Sequence, residues 1–406
     1  MKARRVVVTG MGAVSSAGLG AEPLWRAARD GKSCVGPLEV RQPYGGRIKI
    51  SAQVRDFDIE ALLGPKIAPF SDAFTAYALV AADEAMAQAG LDPDIRQGTR
   101  CAALLGTGVG GLRTIDDGIY NVYMANKRPD ALTVPRLIPS AGPSQMSMRY
   151  GATGPCFDVA SACSSGSQAI GLATQMIRAG MIDRAIVGGS EACATNGSMR
   201  AWESLRVLTP DFCRPFAKNR NGMVLGEGAA IFVLEAEEIA LARGARPLAV
   251  LAGYGTNSDA LDPVRPDAAS ASACMNMALE DAGLQPDDID YVNAHGTATV
   301  MNDVNEADAL NRTFGAWIDK LLVSSTKPVH GHALGAGGAL ELVISIMALR
   351  ENIAPPNLNA EIQDPQCAIR LVGPEAVKLQ MRAVLSNSFA FGGINASLIV
   401  TPFAAA

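Results

Sequence analysis

The chain has 406 residues, 49% of them hydrophobic, which is enough to bury a large core and long enough for two or three domains. A net charge of -5 and a pI near 5.4 exclude a general electrostatic pull towards nucleic acid or anionic membrane. No stretch of eighteen apolar residues occurs, which excludes a helical bilayer span and membrane insertion.

After a basic start, Val6-Val7-Val8 reads as a first β-strand and not as the core of a signal peptide. Gly10-x-Gly12 follows, but Ser15 stands where a dinucleotide fingerprint needs its third glycine. An alanine-rich helix begins near Ser71 and closes in "MAQAGLDPD" (Met86 to Asp94), and the next strand ends in Gly106-Thr107. Then comes "FDVASACSSGSQAIGLATQMIRAG". Val159-Ala160-Ser161-Ala162 is small and β-prone, while Ile170, Ala173 and Ile177 recur at helical spacing, so a strand meets a helix close to Cys163. A thiol on a first helical turn feels unpaired N–H groups and the positive end of the dipole, which favour thiolate. Most free cysteines are buried core residues; the elbow sets this one apart.

A linker is expected near Arg243 to Pro247, before a strand at Leu248 to Leu251. The helix from Ala268 closes in "ALEDAGLQPDD" (Ala278 to Asp288). Ala282-Gly283-Leu284 and Pro286-Asp287 repeat Ala89-Gly90-Leu91 and Pro93-Asp94 at an offset of 193 residues. A strand at Tyr291 to Ala294 runs into His295 and Gly296-Thr297, the counterpart of Gly106-Thr107. A strand from Leu321 to Ser325 leads through Lys327, His330 and His332 into a long apolar helix, the counterpart of the Cys163 elbow. Two related α/β halves, 1–246 and 247–406, account for these correspondences.

All three histidines lie in glycine-rich runs at strand ends, where α/β folds place catalytic side chains. With Cys163 they make a nucleophile–base constellation. The eight cysteines include no C-x-x-C pair and none lies within four residues of a histidine, so neither structural zinc nor disulfides are expected. A reducing cytoplasm is the expected compartment.

The ordered set "RRVVVTGMGAVS", "GTGVGG" (106–111), "ASACSSG" (160–166), "RPFAKNRNGMVLGEGAA" (214–230), "VNAHGTAT" (292–299), "SSTKPVHGHALGAGG" (324–338) and "SNSFAFGGINAS" (386–397) resembles the β-ketoacyl-[acyl carrier protein] synthases of type II. The resemblance covers nearly the whole chain and implies a thiolase-like fold with a layered α-β-α-β-α core. It implies decarboxylative condensation of an acyl-thioester primer with malonyl-[acyl carrier protein], giving a 3-oxoacyl product and CO2. No cofactor is implied, because phosphopantetheine arrives on the acyl carrier protein; a homodimer paired near Phe157 to Ala160 is implied as well.

Residue by residue, the likeness makes Cys163 the nucleophile, His295 and His332 the decarboxylating pair, and Lys327 their support. It places the N–H groups of Cys163 and Phe391 in an oxyanion hole, and Thr297 and Thr299 on the pantetheine arm. Glu306 becomes a structural acid near the lysine, and His330 a structural histidine. No metal is required, although Asn293, Glu341 and Ser386 match a monovalent cation site of some members. Val109, Thr133 and Ile138 would line an acyl pocket gated by Phe391, open to primers of about ten carbons and upward. Ala390, Ile394 and Val300 replace the family's usual Gly, Thr and Pro, changes similar to those of the rhizobial nodulation-type synthases. Ala390 is expected to stiffen the Phe391 loop, since alanine enters positive φ less cheaply than glycine. A non-catalytic chain-length-factor-like subunit would lack Cys163, and a degradative thiolase would need a second Cys in a Cys-x-Gly setting, whereas Cys367 precedes Ala-Ile.

Overall fold

The computed structural model describes residues 4–92 and 95–404, so the Pro93-Asp94 half of one repeat match lies outside the described residues. Ten strands carry the fold: β1 (Val6–Ser15), β2 (Cys101–Gly106), β3 (Cys156–Val159), β4 (Arg184–Glu191), β5 (Gly228–Ala236), β6 (Ala249–Ser258), β7 (Tyr291–Asn293), β8 (Leu322–Ser324), β9 (Val384–Ala390) and β10 (Ile394–Thr401). With the short Gly18–Leu19 on the side of β1 they form one 11-stranded sheet, ordered β8-β7-β9-β10-β6-β1-β5-β4-β2-β3. Five helices matter for the site: α1 (Ala73–Gln88), α2 (Ser165–Arg178), α3 (Ala268–Ala282), α4 (Val300–Phe314) and α5 (Gly337–Glu351).

The sheet reads the same from both ends. In the first half β2 pairs in parallel with β3 and β4, and β5 lies antiparallel between β4 and β1. In the second half β7 pairs in parallel with β8 and β9, and β10 lies antiparallel between β9 and β6. β1 and β6 join the halves through Val7↔Val250 and Val8↔Ala249. The internal repeat is therefore a repeat of topology, centred on the β1–β6 seam.

Side-chain alternation along the strands builds the layers. Leu104, Val187, Val384 and Leu398 face a central core with α2 and α5, while their neighbours Leu105, Ile186, Leu385 and Ile399 face outer cores. One outer core is covered by α1 and the other by α3 and α4. Helix α5 is buried on all sides from Gly337 to Leu349, Glu341 included, as its place between two half-sheets demands. Asp72 caps α1 through the Phe74 N–H, and Asp267 caps α3 through the Ser270 N–H.

Gly10-x-Gly12 finds its physical reason here. A Cβ on Gly10 would lie 2.0 Å from the carbonyl oxygen of Ala85 in α1. On β6, a Cβ on Gly255 would lie 2.1 Å from the carbonyl oxygen of Cys274 in α3. Each outer helix thus sits on a Gly-x-Gly strand, Gly10-x-Gly12 or Gly253-x-Gly255, close enough that no side chain fits between.

Candidate active site

Cys163 occupies a one-turn 3-10 helix, Ala162–Ser164, between β3 and α2. Ala162 stands at φ +49°, a left-handed conformation that turns the chain sharply from strand to helix. The second half repeats the device: Leu334–Ala336 forms a 3-10 turn ahead of α5, with Leu334 at φ +43°. The two elbows meet back to back. A Cβ on Gly166 would come within 2.8 Å of the Gly335 carbonyl, and one on Gly338 within 2.1 Å of Ser167 Oγ. This close approach of two helix N-termini brings Cys163 to His332.

The contacts follow. His332 Nε2 lies 3.0 Å from Cys163 Sγ, and the His295 and His332 rings meet edge to face at 5.2 Å. Lys327 Nζ donates to the His295 carbonyl at 2.5 Å, stands 3.4 Å from His295 Nδ1, and pairs with the Glu341 carboxylate. An ammonium has only donors, so Nδ1 of His295 is its acceptor and the ring proton sits on Nε2. His332 Nδ1 has no hydrogen-bond partner among the described residues, leaving that ring free to carry its proton on either nitrogen.

Burial, then the Lys327 charge, then a second imidazole, His332 for His295 and His330 for His332, hold both His295 and His332 well below the usual imidazole range. Both are neutral rings. Burial pushes the Cys163 thiol up to about 12, against the pull of Lys327 and a hydrogen bond from the Phe391 N–H. The expected helix-stabilised thiolate is thus outweighed by desolvation, because Cys163 sits in the turn before α2, deep in the protein. The resting pair is a neutral thiol on a neutral imidazole.

Glu306 accepts the N–H groups of His295 at 2.8 Å and Gly296 at 2.7 Å, so it fixes the backbone of the histidine. The acid bonded to the lysine is Glu341. Thr297 and Thr299 exchange a hydroxyl bond of 2.9 Å on one wall of a cavity of about 240 Å³ that leads to Cys163, His295 and His332. Phe391 borders the same cavity. His330 is buried away from it, with Nε2 3.0 Å from Thr326 Oγ1. Asn293 donates to the Glu341 carbonyl at 3.2 Å, and the buried Glu341 Oε2 and Ser386 Oγ have no hydrogen-bond partner among the described residues.

Val109, Thr133 and Ile138 are not brought to this cavity, and Val109 and Ile138 remain exposed in the single chain. The expected strain at Ala390 is absent as well. The residue ends β9 in ladder register with Ile394, and the positive φ values fall on Gly392 at +84° and Gly393 at +68°. Val300 takes the first position of α4, outside the ladder of helical N–H bonds, where valine is tolerated in place of proline.

Sequence reasoning missed Glu191. Its carboxylate accepts from the Gly108 N–H at 2.6 Å and the Gly335 N–H at 3.0 Å, stapling the loop after β2 to the second elbow. An acid at the end of the apolar run Ala185 to Gly189 was its only signal. Trp202, beside Phe391, was also missed. The ligand atoms of Cys163, His295 and His332 lie within 4.8 Å of one another, a spacing that also suits a metal ion. The Lys327 ammonium against His295 opposes a second cation there.

The family profile for the N-terminal domain of β-ketoacyl synthases matches residues 3–240, and that for the C-terminal domain matches residues 248–361. The chain belongs to the β-ketoacyl synthase family. It is an acyltransferase-class condensing enzyme. Nodulation protein E of Rhizobium sp. (strain N33) is 41% identical over 397 residues, covering 97% of this chain and 98% of that protein. The 3-oxoacyl-[acyl-carrier-protein] synthase 2 of Staphylococcus aureus (strain COL) is 37% identical over 414 residues, covering 99% of each. Among solved structures, the ishigamide ketosynthase/chain length factor superposes with a TM-score of 0.95 at 32% identity, over 99% of this chain and 100% of that one. A type II polyketide ketosynthase in complex with its acyl carrier protein superposes with a TM-score of 0.90 at 28% identity, again over 99% and 100%. The synthase condenses an acyl primer with malonyl-[acyl carrier protein] in fatty acid or specialised acyl-chain synthesis.

Proposed function

We propose that Cys163 carries the acyl group and that His295 and His332 drive decarboxylation. The convergence of Cys163, His295 and His332 at the inner end of one channel carries this reading. In the first half-reaction Sγ attacks the thioester carbonyl while its proton passes to His332 Nε2. The oxyanion rests on the N–H groups of Cys163 and Phe391, the carbon–sulfur bond to the carrier breaks, and the carrier thiolate takes the proton from His332. In the second, malonyl thioester loses CO2, the bonding electrons move into the thioester enolate, and its oxygen is held by the Nε2–H of His295 and by that of His332, whose ring has by then moved its proton from Nδ1 to Nε2. The α-carbon then attacks the acyl carbon on Cys163, the carbon–sulfur bond to Cys163 breaks, and the departing sulfur takes up a proton from solvent to return to the resting thiol. Thr297 and Thr299 hydrogen-bond the pantetheine arm. Lys327 fixes the His295 tautomer, and its charge adds to burial in keeping both rings neutral.

The phosphopantetheine belongs to the carrier substrate, so the enzyme uses no cofactor of its own. Asn293, Glu341 and Ser386 are the residues that would hold a structural monovalent cation; the unpartnered Glu341 Oε2 and Ser386 Oγ are suited to a hard ion. The enzyme works in the cytoplasm as a homodimer paired along β3, an edge strand with Cys156 exposed. Val109, Thr133 and Ile138 complete an acyl pocket only with the second copy, and primers of about ten carbons and upward are preferred to acetyl. Light scattering at micromolar concentration checks the dimer; a fully active monomer refutes it. The decisive assay is CO2 release and 3-oxoacyl product from malonyl- and decanoyl-[acyl carrier protein]. Cys163→Ala should abolish the product and spare decarboxylation; product formation by that variant overturns the reading.

A further inference from the structure

The two threonines that face the channel owe their pairing to a bend in the backbone. Ala298, between Thr297 and Thr299, stands at φ +64°, a left-handed conformation that alanine enters only at a cost. The bend leaves the two hydroxyls 2.9 Å apart. None of the three residues is a glycine or an asparagine, which adopt that conformation most readily, so the bend is held from outside.

The hold lies behind the cavity wall. One oxygen of the Asp303 carboxylate accepts the Ala298 N–H at 3.1 Å. The other accepts the N–H of Phe216 at 2.7 Å, itself a non-glycine residue at φ +63°. The Gly222 N–H donates to the Ala298 carbonyl at 3.0 Å. Arg220 closes the frame. Its Nε donates to the Thr299 carbonyl at 3.3 Å and its Nη2 to the Val300 carbonyl at 2.9 Å. Its Nη1 donates to the Ala217 carbonyl at 2.9 Å and to the Asp364 carboxylate at 2.5 Å. The side chain is only 3% exposed, and burial of a cation is sustained only where its donors are met, as they are here. Asn221, Gly222 and Met223 border the channel, whereas Arg220 does not.

We propose that Arg220 is a positioning residue for the pantetheine arm, its guanidinium holding Thr297-Ala298-Thr299 in the bend that presents both hydroxyls to the channel. It acts through the threonines and touches no substrate, and the proposal rests on the reading of Thr297 and Thr299 as holders of that arm. A lysine would keep the charge. As a single point with three donors, it cannot span the Thr299, Val300 and Ala217 carbonyls and Asp364 as the planar fork does.

The test compares acylation of Cys163 by decanoyl-[acyl carrier protein] and by p-nitrophenyl decanoate, an activated ester with no pantetheine arm, each followed by intact mass. In Arg220→Lys the rate with the carrier thioester should fall about two- to tenfold, the worth of one hydrogen bond, while the rate with the ester stays at the wild-type value. Asp364→Asn, at the outer end of the frame, should show the same selective fall in smaller measure, and it carries the comparison if Arg220→Lys does not fold. Added to the pair Thr297→Ala and Thr299→Ala, Arg220→Lys should cost nothing more, because the hydroxyls it positions are already gone. Equal losses with both acyl donors, no loss with the carrier, or a further loss on top of the threonine pair overturns the proposal. A threonine-pair variant that is acylated from the carrier at the wild-type rate overturns instead the reading on which the proposal rests.

Discussion

Replacing His332 by alanine isolates the contact on which acyl transfer depends. The thiol is pushed up to about 12, so unassisted ionisation at pH 7 costs about 7 kcal/mol, five pKa units at 1.36 kcal/mol each. His332, with Nε2 3.0 Å from Sγ, lets the proton leave as the carbon–sulfur bond forms. A positioned base is worth about 10²- to 10⁴-fold, so acylation by decanoyl-[acyl carrier protein] should slow by about that factor in His332→Ala. The pH profile is the sharper readout. In wild type the thiol is protonated well below 12 and the imidazole, held well below 6.5, is neutral, so the reactive pair does not change between about pH 6.5 and 9 and the rate should be flat. In the variant the reactive form is free thiolate, whose fraction rises about tenfold per pH unit towards the thiol's pKa. Single-turnover acylation at a series of pH values distinguishes the two. A wild-type rate that climbs tenfold per unit through pH 7 to 9, or a variant that stays flat, would refute the neutral thiol–imidazole pair.

Glu306→Gln should cut malonyl decarboxylation and lower stability to urea by about 1–3 kcal/mol, because an amide cannot accept both the His295 and Gly296 N–H groups in the carboxylate's place. His330→Ala should destabilise by a similar amount through loss of its Thr326 bond, yet keep decarboxylation within a few-fold of wild type; a loss equal to that of His332→Ala would overturn their different roles. Ala390→Gly should lower stability by about 0.5–1 kcal/mol with no faster acylation, since Ala390 is an ordinary strand residue and not a strained hinge. A Gly variant that acylates markedly faster would show that the alanine restrains the loop after all.

Local signals carried much of this molecule. The Ala-Gly-Leu helix ends marked a repeat, and the repeat marked a sheet built twice about the β1–β6 seam. The elbow at Cys163 and its counterpart before α5 were readable because strand-to-helix turns leave a local pattern of small residues and helical spacing. Contacts across the seam leave no such pattern. Cys163 and His332 are separated by 169 residues; strand-end position grouped Cys163 with all three histidines, and only the family resemblance chose His332 over His330, whereas the physical cause is the Gly166–Gly335 approach. Pairings of single side chains are the least legible of all. Trp202 reads as one aromatic on a short polar helix, and Glu191 as one acid closing an apolar strand.

The acyl-pocket residues stand apart from the rest. Val109, Thr133 and Ile138, assigned by likeness, do not line the cavity that reaches Cys163 in the single chain. Phe391, assigned in the same way, does border the cavity, with its ring stacked on the Trp202 indole and the next residue's N–H bonded to the Pro263 carbonyl. The distinction has a physical consequence. A site closed by one chain should hold its shape at any protein concentration, whereas a pocket completed by a second copy should weaken as the dimer dissociates. Transfer of long primers should therefore fall on dilution while transfer of acetyl persists, and equal dilution curves for both would place the acyl pocket within the single chain.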